Sequence, residues 1–459
     1  MKPLVAIVGR PNVGKSTLFN RLAGRRISLV EDMPGVTRDR HYADAEWGGR
    51  KFTFIDTGGF VPGEKDALLA QVREQAQLAV EECDVIVFVT DGRDGVTPAD
   101  AAVASYLRKS GKPVIVAANK LDNTSGTMQS LAADFYKLGL GEVQPLSAEH
   151  GLGVPGLCDE VVSRLPPKQD GEDDEAPPDD GTIRVAIIGR PNVGKSTLVN
   201  AILQEKRVVA SDVPGTTRDP VDSPLTYKDR KLILTDTAGI RRKKTIAQQV
   251  EKYSVVAALK VMERSDVAVL LMDATEPAVD QDAKLAGLAE ERGRALVIVV
   301  NKWDLVDPDQ RRQEAYRESL KYALKFVGYA PILFTSALNG SKVEKVVDVA
   351  VELAEQFRFR APTPQLNRLL EHMVDNHPAP IVRGKPLRLY YIAQVSTAPP
   401  TFALTCNHPD GVPDMYKRYI TNQLRKTFDL RVPIRLLFRA RPGQAKRAAR
   451  KKPHLQGKG

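Results

Sequence analysis

The chain has 459 residues, 42% of them apolar, which is enough for about three domains of ~100–200 residues, each with its own core. Its leading apolar run, residues 4–8, is far shorter than the ~20 residues of a spanning helix and enters a glycine-rich loop directly, so neither a membrane span nor a signal peptide is expected. The formal charge of +10 is uneven: from residue 362 onward 18 Lys/Arg stand against 5 Asp/Glu, a basic end suited to nucleic acid phosphates, with a membrane surface or an acidic protein as open alternatives.

The first unit, residues 1–165, opens with a strand at 5–8. It leads into Gly9, Arg10, Pro11, Asn12, Val13, Gly14, Lys15, Ser16 and Thr17, and a helix is expected at 15–22. Strand, glycine-rich loop and helix form the phosphate-binding arrangement: backbone N–H groups close around a phosphate, Lys15 supplies a cation and Ser16 a ligand for Mg²⁺. Further on, Pro34-Gly35-Val36-Thr37-Arg38-Asp39 is either an ordinary turn or a loop whose Thr37 closes on Mg²⁺ when a γ-phosphate is present. A hairpin turn is expected at 47–51, with Trp47 packing rather than reacting. A strand at 52–55 then ends in Asp56, Thr57, Gly58 and Gly59, where the carboxylate can hold Mg²⁺ through water and the Gly59 amide can sense the γ-phosphate.

Helices at 68–81 and 99–109 alternate with strands at 85–89 and 114–117, which predicts an α/β fold, a mostly parallel sheet with helices on both faces. Directly after the last of these strands come Asn119, Lys120 and Asp122. A carboxylate at Asp122 accepts two N–H bonds from guanine and fits adenine poorly; Asn119 braces the base and the Lys120 stem lies over its face. Ser147 and Ala148 would complete the pocket. By itself N-K-x-D arises by chance in about one chain of this length in fifteen.

Residues 166–181 break the pattern with paired prolines and a run of acids from Asp170 to Asp180. Such a segment cannot bury a core and reads as an extended linker, or as a dock for the basic end. The second unit, residues 182–360, then repeats the first. Gly189, Arg190, Pro191, Asn192, Val193, Gly194, Lys195, Ser196 and Thr197 restate the loop; Thr217 restates Thr37; Asp236, Thr237, Ala238 and Gly239 restate the carboxylate loop; Asn301, Lys302 and Asp304, with Ser336 and Ala337, restate the guanine site. Each motif now occurs twice in the same order, which chance does not supply.

The third unit, residues 361–441, has another rhythm. Leu366, Leu369, Leu370 and Met373 stripe a helix; Leu387, Leu389, Tyr391, Ala393 and Val395 alternate as a strand; Met415, Tyr416, Tyr419, Ile420 and Leu424 stripe a second helix; Ile434, Leu436 and Phe438 make a last strand. This is a small α+β domain, followed by a basic tail, 442–459, too poor in apolar residues to fold alone. Cys83, Cys158 and Cys406 have neither disulfide nor metal spacing, which fits a reducing cytoplasm.

With its two GRPNVGKS loops, the PGVTRD and PGTTRD segments, DTGG and DTAG, NKLD and NKWD, and Tyr416-Lys417-Arg418-Tyr419 before Val432-Pro433-Ile434, the chain resembles the Der (EngA) family of bacterial tandem-G-domain GTPases along nearly its whole length. The resemblance implies a KH-like third domain, GTP and GDP as ligands with Mg²⁺, and a part in maturation of the large (50S) ribosomal subunit through its rRNA. A cytoplasmic monomer without a DNA partner is expected.

Where many small GTPases place a water-orienting glutamine after D-x-x-G, this chain has Phe60 and Ile240. The resemblance implies slow, K⁺-stimulated hydrolysis, the ion held in part by Asn12 and Asn192, which otherwise only brace their loops. Lys15, Thr37, Gly59, Lys195, Thr217 and Gly239 are the remaining catalytic candidates; Ser16, Thr37, Asp56, Ser196, Thr217 and Asp236 are those for Mg²⁺. Arg241, Arg242, Lys243 and Lys244 give only the second copy a basic loop here. The third domain has no G-x-x-G clamp, so RNA contact is expected through basic faces and the tail. A nucleotide-gated scaffold, in which hydrolysis is incidental, is the rival to a hydrolysing switch.

Overall fold

In the computed structural model the described residues are 3–24, 42–57, 76–77, 79–81, 83–122, 132–167, 181–204, 208–210, 222–236, 253–276, 280–306, 313–382 and 384–440. They form two compact units that divide between residues 178 and 179.

In the first unit β1 (Leu4–Val8) is apolar and buried at every position, as a central strand covered on both faces must be. Helix α1 (Lys15–Gly24) follows the phosphate loop. Strands β2 (Tyr42–Trp47) and β3 (Arg50–Asp56) form the expected antiparallel hairpin. Then come β4 (Val85–Asp91), α2 (Pro98–Ser110), β5 (Val114–Asn119), β6 (Val143–Pro145) and α3 (Val154–Arg164). The sheet runs β2-β3-β1-β4-β5-β6, parallel except for β2. Parallel pairing brings the ends of β1, β3, β4 and β5 to one edge, so the loops bearing Lys15, Asp56 and Asn119 emerge together. Of the helix expected at 68–81, only 76–77 and 79–81 are described, and they are helical.

The second unit repeats this plan with β7 (Ile183–Gly189), α4 (Lys195–Gln204), β8 (Val208–Ala210), β9 (Asp222–Tyr227), β10 (Arg230–Asp236) and α5 (Tyr253–Glu263). It continues through β11 (Val267–Asp273), α6 (Asp280–Glu291), β12 (Ala295–Asn301), α7 (Gln313–Ala323), β13 (Ile332–Phe334) and α8 (Val343–Phe357). Its sheet order is β13-β12-β11-β7-β10-β9-β8.

The α+β domain belongs to the same unit. Helix α9 (Thr363–Asn376) precedes the short pair β14 (Ile381–Val382) and β15 (Lys385–Pro386). Strands β16 (Leu389–Ser396), β17 (Thr401–Cys406) and β18 (Arg435–Ala440) make a three-stranded sheet, with α10 (Asp414–Phe428) inserted before the last. One apolar cluster runs from Val346, Leu353 and Phe357 of α8 through Leu366 and Leu370 of α9 to Phe402, Leu404, Ile420 and Leu424. The junction is also bonded through Ala398 N to Phe357 O at 2.9 Å and Arg431 N to Gln356 Oε1 at 2.8 Å.

Two expectations about this domain need correction. Leu387, Leu389, Tyr391, Ala393 and Val395 do not form one buried face. The β16–β17 register shifts between Leu389 and Tyr391; beyond it the inward residue is Ile392, while Tyr391 and Val395 are 47% and 45% exposed. A bulge exchanges the two faces of a strand. Met415 likewise leaves the helical stripe: it is 82% exposed, one position off the line of Tyr416, Ile420 and Leu424 that packs inward.

Candidate nucleotide sites

The phosphate loop connects β1 to α1, and Lys15 is buried in the first turn of that helix. Its Nζ donates to Gly9 O at 2.7 Å and Arg10 O at 2.9 Å. Burial lowers its pKa to about 8, against the attraction of Asp56. Ser16 Oγ donates to Asp56 Oδ2 at 2.9 Å, and Thr57 Oγ1 donates to Ile7 O at 2.7 Å, fixing the start of the carboxylate loop to β1. In the second copy Lys195 Nζ meets Gly189 O at 3.0 Å and Arg190 O at 2.7 Å. Thr17 and Thr197 are exposed just beyond, and Asp236 closes β10. Thr37, Gly58, Gly59, Thr217, Thr237, Ala238 and Gly239, with Phe60, Ile240 and Arg241 to Lys244, lie outside the described residues.

Asn119 ties the loops together. Its Nδ2 donates to Val13 O at 2.7 Å, in the phosphate loop, and its Oδ1 accepts from Ala148 N at 2.8 Å. Asn301 does the same with Val193 O at 2.8 Å and Ala337 N at 2.9 Å. This close approach is why Gly14 and Gly194 are glycines: a Cβ there would lie 2.3 Å and 2.4 Å from the asparagine Nδ2, and their φ values are +94° and +98°. One amide in each copy thus locks the phosphate loop, the N-K-x-D loop and the Ser-Ala loop into a single rim.

Lys120 and Lys302 stand in left-handed backbone, with φ of 67° and 59°, and their ammonium groups reach Asp91 at 2.6 Å and Asp273 at 2.5 Å. Burial alone would raise the Asp91 carboxyl, but Lys120 and the N–H groups of Arg93 and Asp94 outweigh it and bring it below its ordinary value; at Asp273, Lys302 and Thr275 do so. The Asp122 carboxyl is lowered by the 2.6 Å bond from Ser147 Oγ, against burial, with Arg93 assisting. An ionised, acceptor-only carboxylate is the form that receives two guanine N–H groups. In the second copy Asp304 lies in the turn Trp303–Leu305, and Ser336 Oγ accepts from Asn339 N at 3.3 Å. Trp303 packs at 4.4 Å against Phe334 with the rings tilted by 58°, and Tyr316 is edge-on at 5.5 Å from Trp303, where the first copy has Leu121.

A family model described as a 50S ribosome-binding GTPase matches residues 4–120 and again 184–302, and one for the KH-domain-like C-terminal region of EngA bacterial GTPases matches 360–439. The GTPase Der of Myxococcus xanthus is 85% identical over 458 residues, covering 100% of both chains. The chain belongs to the Der family of GTPases. Der from Moorella thermoacetica is 49% identical over 439 residues, 95% of this chain and 98% of that one. As a Der GTPase the chain has two G domains, each on its own mostly parallel sheet, and a KH-like domain; among the described residues no helix is long and apolar enough to cross a membrane. The motifs led to the lysines, asparagines and serines of the rim and to Asp122, but not to Asp91, Asp273 or Arg93. The two aspartates had a signal of their own, an acid ending a fully buried and largely apolar strand in both copies.

Proposed function

We propose that the chain is a GTP-hydrolysing switch that assists maturation of the large (50S) ribosomal subunit, working as a cytoplasmic monomer on that subunit and its rRNA. The observation that carries the nucleotide part is the asparagine-locked rim, present in both copies with the same partners. Asp122 and Asp304 select guanine; Lys15 and Lys195 take the β- and γ-phosphate oxygens. The domain limits follow as 1–165, 182–360 and 361–441, with a linker at 166–181 and a basic tail at 442–459.

Ser16 Oγ and Asp56 Oδ2, 2.9 Å apart, are a pair of hard oxygen donors of the kind Mg²⁺ prefers, and Thr37 would complete the set; Ser196, Thr217 and Asp236 would serve the second copy. Mg²⁺, when bound, neutralises phosphate charge. Asn12 and Asn192 are exposed on the loop with side chains suited to K⁺, whose charge would act in place of an arginine finger. Gly59 and Gly239 offer backbone N–H groups to the γ-phosphate. With Phe60 and Ile240 in place of the glutamine that orients the attacking water in many small GTPases, hydrolysis is slow and faster in K⁺ than in Na⁺.

Co-sedimentation with purified ribosomal subunits in GDP, GTP and a non-hydrolysable analogue tests the switch. Binding to the large subunit that requires the triphosphate state is the expected outcome. Binding indifferent to nucleotide, or equal hydrolysis in matched Na⁺ and K⁺ buffers, would contradict the corresponding half of the reading.

A further inference from the structure

Each phosphate loop is also held from its outer side. Arg10 Nη2 donates to Asp94 Oδ2 at 2.7 Å, and its Nε lies 3.7 Å from Asp100 Oδ2. In the second copy Arg190 Nη1 donates to Glu276 Oε2 at 2.6 Å and Nε to Asp282 Oδ1 at 3.1 Å. The inner acids, Asp100 and Asp282, are 1% and 0% exposed and stand in the first turns of α2 and α6; the outer ones, Asp94 and Glu276, are open to solvent. The outer acid differs between copies, and the inner contact is a hydrogen bond in the second copy and a looser ion pair in the first, but in both the guanidinium stands between two carboxylates.

We propose that Arg10 and Arg190, each fixed by its two carboxylates, are positioning residues for GTP hydrolysis. The same residue that is clamped through its side chain gives its main-chain carbonyl to the loop lysine, at 2.9 Å for Lys15 and 2.7 Å for Lys195. Pro11 and Pro191 follow, and their fixed φ passes the arginine's orientation along the chain with little slack. Next come Asn12 and Asn192 at φ of 66° and 63°, left-handed backbone that persists in a non-glycine residue only where its surroundings impose it. The clamp therefore sets both the ammonium and the asparagine that face the phosphates.

Electrostatics agrees. A free guanidinium beside a triphosphate site would compete with the lysine for the phosphate oxygens. Two carboxylates hold it outward and neutralise it, leaving the lysine as the cation directed inward. An ion pair serving only the fold would cost stability on removal and leave turnover untouched.

The test uses the full chain carrying Lys15→Ala, which silences the first copy, and compares Arg190→Ala, Asp282→Asn and the double variant. Single-turnover GTP hydrolysis is measured below the melting temperature of each protein, with GDP affinity alongside. Each single change is expected to slow the hydrolytic step about tenfold, as small misplacements at a reacting centre do. The double variant is expected to be no slower than the slower single, because the pair acts as a unit. GDP affinity is expected to change less than about threefold, since the interaction belongs to the transition state. Should Arg190→Ala fail to fold, Arg190→Lys, which keeps the charge and loses the fork, takes its place. Singles that turn over like the parent, effects that multiply in the double, or a loss confined to GDP affinity each overturn the proposal. Arg10→Ala and Asp100→Asn in a Lys195→Ala chain must behave alike.

Discussion

At the scale of single residues, the buried cation of the first phosphate loop gives the sharpest pH dependence. Burial brings Lys15 to about 8, from an ordinary value of 10.5, so between those two values the folded chain has released a proton that the unfolded chain keeps. The unfolded state then binds more protons, and this residue's contribution to stability rises with pH through that window. Nucleotide works in the opposite direction: phosphate anions beside Nζ favour the ammonium and draw the proton back. GDP binding at the first site is therefore expected to take up close to one proton at pH 9 and almost none at pH 7. Calorimetric titration in buffers of different ionisation enthalpy, in a Lys195→Ala chain, reads that number directly; equal uptake at both pH values would contradict it. The lysine itself was plain in the sequence. Its pKa was not, because it depends on burial, which only the fold creates, and on the opposing attraction of Asp56, which β3 delivers from 41 positions further along the chain.

Elements show where sequence periodicity stopped being informative. The buried strands β1, β4 and β5 were legible as continuous apolar runs, and the phosphate helix as a motif, because local pattern and burial coincide there. Strand β16 was misread since a bulge leaves no trace in composition, and β17 was missed because Thr401, Phe402, Ala403 and Leu404 are all buried and so do not alternate. The junction between α6 and the KH-like domain was equally silent. There Tyr329 donates its hydroxyl to Glu290 while Arg425 of α10 lies 3.8 Å from the centre of the Tyr329 ring. Burial raises the Glu290 and Tyr329 pKa values and lowers that of Arg425, the signature of three polar groups sharing one dry space. In the first copy the position matching Glu290 on α2 is Arg108, so this contact is particular to the second. Arg425→Ala removes a guanidinium packed on the buried Tyr329 ring and one of the two cations, with Arg435, that attract the Glu290 carboxyl, a loss of about 2 kcal/mol. Denaturant unfolding of the full chain should show a loss of that size, whereas Lys426→Ala on the same helix, at an exposed position, should change little.

At the scale of the whole molecule the uneven charge makes a quantitative claim. Six of the 18 Lys/Arg beyond residue 362 lie after Arg441, in a stretch without a single acid. If that tail lies along rRNA, each phosphate it neutralises releases counterions, and log K falls with log salt by roughly 0.7–0.9 per contact. Truncation after Arg441 should then flatten the salt dependence of large-subunit binding by up to about 5 in slope while leaving the nucleotide requirement in place, because both G domains remain. The two effects separate cleanly. A tail that merely keeps the protein soluble would leave the slope unchanged, whereas for a tail that docks on the acidic segment from Asp170 to Asp180 the flattening would come from the freed acids repelling the rRNA, and replacing those acids with amides in the truncated chain would restore the intact slope. Measured from 50 to 300 mM KCl with intact, truncated and amide-substituted truncated chains, the slope distinguishes RNA contact from self-contact, a choice that the charge count alone leaves open.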